Sequence, residues 1–125
     1  MKVVDADILI DFSRRRKEAT DFINSQPTLL LKISITTKFE LFEGARNKKE
    51  LRSIEEFFSH YDEISPSPES LSRSLELFKA YNLSHGIDAF DSLLAGVALM
   101  YDATLVTRNR KHYDFIPNLK LEIPY

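Results

Sequence analysis

Val3-Val4-Asp5-Ala6-Asp7-Ile8-Leu9-Ile10-Asp11-Phe12 is the stretch on which the fold turns. It begins as a short apolar run suited to a buried strand, breaks at two acids, and continues as an apolar helical pattern. The same succession recurs along the chain. Strands are expected at Lys2–Asp5, Leu29–Ile33, Tyr61–Ile64, Thr104–Thr107 and Lys120–Ile123. Helical patterns lie between them, over Ile8–Phe12, Lys17–Ser25, Thr36–Arg46, Lys49–His60, Glu69–Leu83 and Ala89–Tyr101. Leu71, Leu75 and Phe78, then Leu93, Leu94, Val97 and Ala98, repeat at helical spacing. Ser65-Pro66-Ser67-Pro68 reads as a turn into a helix start, with Glu69 adding first-turn negative charge. Strands alternating with helices imply βαβ units. The expected fold is therefore α/β, a three-layer α/β/α sandwich around a mostly parallel sheet.

At 125 residues the chain is expected to form one domain, residues 1–125, with a sizeable core. No repeat, low-complexity tract or linker divides it. It contains no cysteine, which excludes a disulfide scaffold, a thiolate metal site and a cysteine nucleophile. The opening MKVVDADILIDFSRRRK has acids inside its apolar part and basic residues after it, the reverse of a secretory signal. No apolar run approaches the roughly 18 residues of a membrane span. A cytoplasmic protein is expected.

The acids fall where an α/β enzyme would use them, because ligands bind beyond the carboxyl ends of strands in an open sheet. Asp5 and Asp7 end the first strand. Either could cap the following helix, a reading that suits Asp7 better than Asp5. Glu40 lies shortly after the second strand among Phe39, Leu41 and Phe42, and Glu43 is three residues on. Position alone does not choose between the two. Asp88 and Asp91 flank Ala89-Phe90 at the entrance of an apolar helix. A cap suits Asp88, at about 0.3–1 kcal/mol, whereas Asp91 sits one step deeper in the apolar pattern. Thr107 and Asn109 add oxygen donors at the end of the fourth strand. Hard oxygen ligands without cysteine or a histidine set suit Mg²⁺ or Mn²⁺. His60, His85 and His112 lack ligand spacing and read as surface or loop residues, with His112 the one that could lie near substrate.

The net charge of −2 does not by itself favour a nucleic acid partner. Its distribution does. Arg14-Arg15-Arg16-Lys17, Arg46-Asn47-Lys48-Lys49 and Arg108-Asn109-Arg110-Lys111 each follow an acidic motif. Three basic clusters around an acidic centre would hold a phosphate backbone, and Arg14, Arg15, Arg46, Arg108, Arg110 and Lys111 are the candidate contacts. Solvated helix ends are the plainer reading of any one cluster.

Taken together, VVDADILIDF, ISITTKFELFEGA, GIDAFDSLLAGVAL and LVTRNRKHYDFIPNLKL resemble the PIN domain, and within it the VapC-type toxins of toxin–antitoxin pairs. The resemblance spans essentially the whole chain. It implies a metal-dependent endoribonuclease with Asp5, Glu40 and Asp91 as acidic active-site residues and metal ligands. The fourth acidic position falls at Asn109, where many members carry Asp in a Thr-x-Asp motif. A neutral oxygen is a weaker ligand, which bears on a second metal more than on activity. Asp7 stands where the family usually has Ser or Asn, and with Asp88 it is expected to share the missing charge. Thr107 matches the usual hydroxyl. The resemblance also implies an RNA substrate, a cognate antitoxin and a homodimer, with no membrane attachment.

Two other readings compete. Asp5-x-Asp7 after a strand also begins receiver and phosphatase folds. A receiver needs a phosphoacceptor Asp and a Lys at later strand ends, and Arg108 follows Thr107 instead. A haloacid-dehalogenase-type phosphatase pattern is broken by Leu9. The second alternative is a PIN-like domain that only binds RNA or protein, its metal site weakened by Asn109.

Overall fold

The computed structural model describes residues 1–125. Its central strand is β1 (Lys2–Val4), flanked by β2 (Leu31–Ser34) and β4 (Thr104–Val106). β3 (Asp62–Ile64) lies beyond β2, and β5 (Lys120–Glu122) lies beyond β4. Every pairing is parallel, so each successive strand needs a crossover. Helices α1 (Ala6–Ser13) and α2 (Lys17–Ser25) join β1 to β2, and α3 (Ile35–Glu43) and α4 (Lys48–Phe58) join β2 to β3. The chain then returns across the sheet through α5 (Pro68–His85) and α6 (Ala89–Met100) to β4. Only a loop with a 3-10 turn at Arg110–His112 connects β4 to β5.

Right-handed crossovers running outward from β1 and then back place their helices on opposite faces. The side chains follow. Val4, Leu31, Ile33 and Val106 pack with Ala6, Ile8, Leu9, Ile23, Leu41 and Phe58. Val3, Ile64 and Leu105 point the other way, into Leu77, Leu94, Ala95, Val97 and Ala98. Adjacent residues thus serve opposite layers, as the two-residue period of a strand requires. The result is the expected three-layer sandwich, with a sheet that is wholly parallel.

Local chemistry sets the boundaries. Ser67 caps α5 through the backbone N–H of Ser70, whose hydroxyl accepts from the N–H of Ser67, and Pro68 opens the helix. Gly86 closes it in the left-handed region at φ 70°. Leu29 lies in a 3-10 turn, Thr28–Leu30, rather than in β2, because Pro27 starts a tight turn. The third helix ends at Glu43 instead of Arg46, capped by Gly44. Asp5 and Thr107 stand just outside their strands, freeing both side chains for the site.

Candidate active site

The sheet order β3-β2-β1-β4-β5 reverses direction between β1 and β4, and a doubly wound sheet opens its binding crevice at the carboxyl ends of such a pair. Asp5 follows β1 and Thr107 follows β4. Asp5 is only 7% exposed. Its Oδ1 accepts the N–H of Ala6 at 2.7 Å, so it does cap α1. Its Oδ2 accepts the hydroxyl of Thr107 at 2.9 Å and that of Tyr113 at 3.1 Å. Capping and site membership therefore coexist, because a carboxylate has two oxygens that can accept.

The Tyr113 hydroxyl also lies 2.9 Å from Asp91 Oδ1. One phenol thus bridges acids from β1 and α6, and the ring is fully buried. Asp91 sits in the first turn of α6, its N–H bound to the Asp88 cap at 2.7 Å. Asp88 is the exposed member, as its cap reading required. His112 places Nδ1 3.3 Å from Asp91 Oδ2. From the third helix, Glu40 is half-buried and faces the same acids, while Glu43 is exposed. Tertiary position makes the choice that spacing left open.

Burial is the main reason these acids bind a proton more tightly than free carboxylates do, and mutual repulsion adds to it. Burial and then the neighbouring Asp7 push Asp5 up to about 7. Glu40 also rises to about 7, through burial and then Asp5 and Asp91. Burial, followed by Asp88, raises Asp91. Asp7 is raised by burial against the pull of its hydrogen bonds. Burial and the two carboxylates beside it push Tyr113 far up, so the phenol keeps its proton. No Lys or Arg ion-pairs with Asp5, Glu40 or Asp91, leaving His112 as their one basic contact. Uncompensated hard oxygens of this kind fit a divalent cation. No three His, Asp or Glu side chains stand close enough here to hold an ion between them, so a cation would need water to complete its shell.

The basic clusters separate in three dimensions. Arg14, Arg46 and Lys49 line one cleft of about 820 Å³ together with Glu40 and Leu41. Arg46 also pairs with Glu50, four residues on at the start of α4, at 2.7 Å. Arg15 is exposed, with φ 60° in the turn after α1. Arg108 is exposed and also paired within the chain. Its guanidinium is turned to Asp11 at 2.7 Å and lies over the Tyr125 ring. Arg110 and Lys111 are exposed and have no carboxylate partner. Tyr113 and Asp11 carry no mark of a site role in the sequence. A lone aromatic among basic residues gives no periodic signal.

A family model for the PIN domain matches residues 2–115. The chain belongs to the PIN-domain family. Ribonuclease VapC19 of Mycobacterium tuberculosis is 32% identical over 125 residues, 96% of this PIN domain and 98% of the relative. A toxin–antitoxin complex from Klebsiella pneumoniae contains a chain 26% identical, with a TM-score of 0.84 and 100% and 98% of the two chains covered. A DNA-bound VapBC from Salmonella typhimurium shares the fold at 20% identity and a TM-score of 0.83, over 99% and 98%. Family membership displaces the receiver and phosphatase readings. No helix of this PIN domain is long and apolar enough to cross a membrane.

Proposed function

We propose that this PIN domain is a metal-dependent endoribonuclease, the toxin of a toxin–antitoxin pair. The observation that carries the reading is the convergence of Asp5, Glu40 and Asp91 at the β1/β4 crevice with no Lys or Arg to neutralise them. The relative named a ribonuclease, and the similar chain found in a toxin–antitoxin complex, support the same reading.

Asp5, Glu40 and Asp91 would hold Mg²⁺ or Mn²⁺, with Asn109 offering a neutral oxygen nearby. When bound there, such an ion supplies a more acidic water at neutral pH and positive charge for the leaving oxygen. In the metal-free site burial and the neighbouring acids raise Glu40 to about 7; a bound cation would lower it again, leaving the carboxylate charged to hold the ion and to accept the attacking water's proton. Tyr113 donates its single proton to one carboxylate at a time and holds Asp5 and Asp91 in register. Thr107 performs the same service for Asp5. Arg14, Arg15, Arg46, Arg110 and Lys111 would carry the RNA backbone, with Arg14 and Arg46 beside Glu40. Exposed Phe39 and Phe90, next in sequence to Glu40 and Asp91, offer apolar surface for a second copy of the chain or for the antitoxin. This activity belongs in the cytoplasm.

The test is cleavage of a mixed RNA substrate in Mn²⁺ by the wild type, Asp5→Asn and Asp91→Asn. Each variant is expected to lose about 100-fold or more in rate, because each removes charge from the same site. Cleavage undiminished in excess EDTA would overturn the metal dependence. Wild-type activity retained by both variants would overturn the site.

A further inference from the structure

Asp7 is the acid that the proposed chemistry leaves without a task. It is half-buried in the first turn of α1, and both its oxygens are engaged. Oδ1 accepts the N–H of Ile8 at 2.7 Å. Oδ2 accepts from three consecutive residues after β4: the Thr107 hydroxyl at 3.2 Å, the Arg108 N–H at 2.9 Å and the Asn109 side-chain amide at 3.0 Å. The Thr107 hydroxyl has one proton to share between Asp7 and Asp5, whose Oδ2 lies closer at 2.9 Å, and it accepts the N–H of Asn109 at 3.1 Å. The corner is thus tied into the acidic site at every residue.

A carboxylate can only accept, so Asn109 must present its nitrogen to Asp7. Its oxygen, on the other arm of the amide, accepts no hydrogen bond from the chain. A carboxylate at position 109 would set oxygen against oxygen across the 3.0 Å that a hydrogen bond now spans. In a partly desolvated site that replaces attraction with repulsion.

We infer that Asp7 is a positioning residue that fastens the Thr107–Asn109 corner beside Asp5, frees the Asn109 amide oxygen, and makes an amide obligatory at position 109. Only the use made of that oxygen rests on the nuclease reading. Residues 7 and 109 therefore form one unit, and Asn109 is the matched partner of Asp7, which makes it more than a degraded ligand.

The experiment is a double-mutant cycle over wild type, Asp7→Asn, Asn109→Asp and the double variant. It reads melting temperature in EDTA, and kcat and KM for RNA in Mn²⁺. Asn109→Asp is expected to lower the melting temperature by several degrees, and kcat about tenfold with KM little changed. In the Asp7→Asn background the new amide can donate to the carboxylate introduced at position 109. There the same change should cost less than half as much on both readouts. Additive effects would overturn the inference, as would an Asn109→Asp enzyme that cleaves faster than wild type at an unchanged melting temperature. If the wild type cleaves no RNA, the nuclease reading fails, and coupling or additivity in melting temperature decides this inference alone.

Discussion

Tyr113 has one proton and two carboxylates within 3.1 Å of its oxygen. Removing the hydroxyl leaves Asp5 and Asp91 facing each other with one donor fewer, at a buried position. Tyr113→Phe is therefore expected to lower stability by about 1–3 kcal/mol in chemical denaturation, the usual cost of unsatisfying a buried polar group. It should also lower kcat more than it changes KM, which steady-state kinetics would show. Asp5→Asn should behave oppositely on stability. The charge it removes is buried and repelled by its neighbours, so in EDTA at pH 8 the variant is expected to melt on the order of 5 °C higher while losing cleavage. A lower melting temperature would show that the hydrogen bonds of Asp5 outweigh its charge. Of these two residues the sequence flags only Asp5, because an acid ending an apolar strand is a local anomaly. A tyrosine in a loop is not, and its importance arises only when β4 brings residue 113 beside residue 5.

At the scale of elements, α5 and α6 meet at a contact that only glycine permits. A Cβ built on Gly96 would overlap Ser74 Oγ and stand 2.8 Å from the Ser70 carbonyl oxygen. Ser74 is itself hydrogen-bonded to that carbonyl at 2.8 Å, so neither atom can give way cheaply. Gly96→Ala is expected to destabilise the fold by about 1–3 kcal/mol despite its better helix propensity, measurable by urea unfolding. Because α6 carries Asp91, the same shift should reduce cleavage. The helices were legible in outline because their apolar spacing and caps are local. Ser67-Pro68 at the start of α5 and the apolar run of α6 are examples. Boundaries such as that of Leu29 were not, since Pro27 and a single tight turn outweigh an apolar run of the right length.

Across the whole molecule, the crowding of acids sets the response to pH and metal. The Asp5 carboxyl lies at about 7 in the fold against an ordinary 3.8. Between those values the folded chain keeps a proton that the unfolded chain has released. Stability in EDTA should therefore fall as pH rises from about 4 to about 7 and stay at the lower level above that. Glu40 acts in the same direction. Mn²⁺ or Mg²⁺ should reverse the loss at pH 8, raising the melting temperature with concentration, and do so weakly at pH 5, where protons compete for the same oxygens. A thermal-shift titration at the two pH values checks both signs. RNA affinity should fall steeply with salt, and less steeply in Arg14→Ala with Arg46→Ala if that cleft carries phosphates.

Local sequence was enough for the α/β class and the three layers, and it singled out Asp5 and Asp91 as acids set into apolar patterns. Strand and helix periodicity, capping residues and an acid interrupting an apolar run are all written within a dozen neighbouring positions. The choice between Glu40 and Glu43 needed the packed fold, as did the joining of Tyr113 to Asp5 and Asp91 and the turning of Arg108 to Asp11. So did the hold that Asp7 has on the corner containing Asn109. These relations depend on which strand ends lie side by side. That order follows from crossovers folding over the sheet, and no local stretch of chain encodes it.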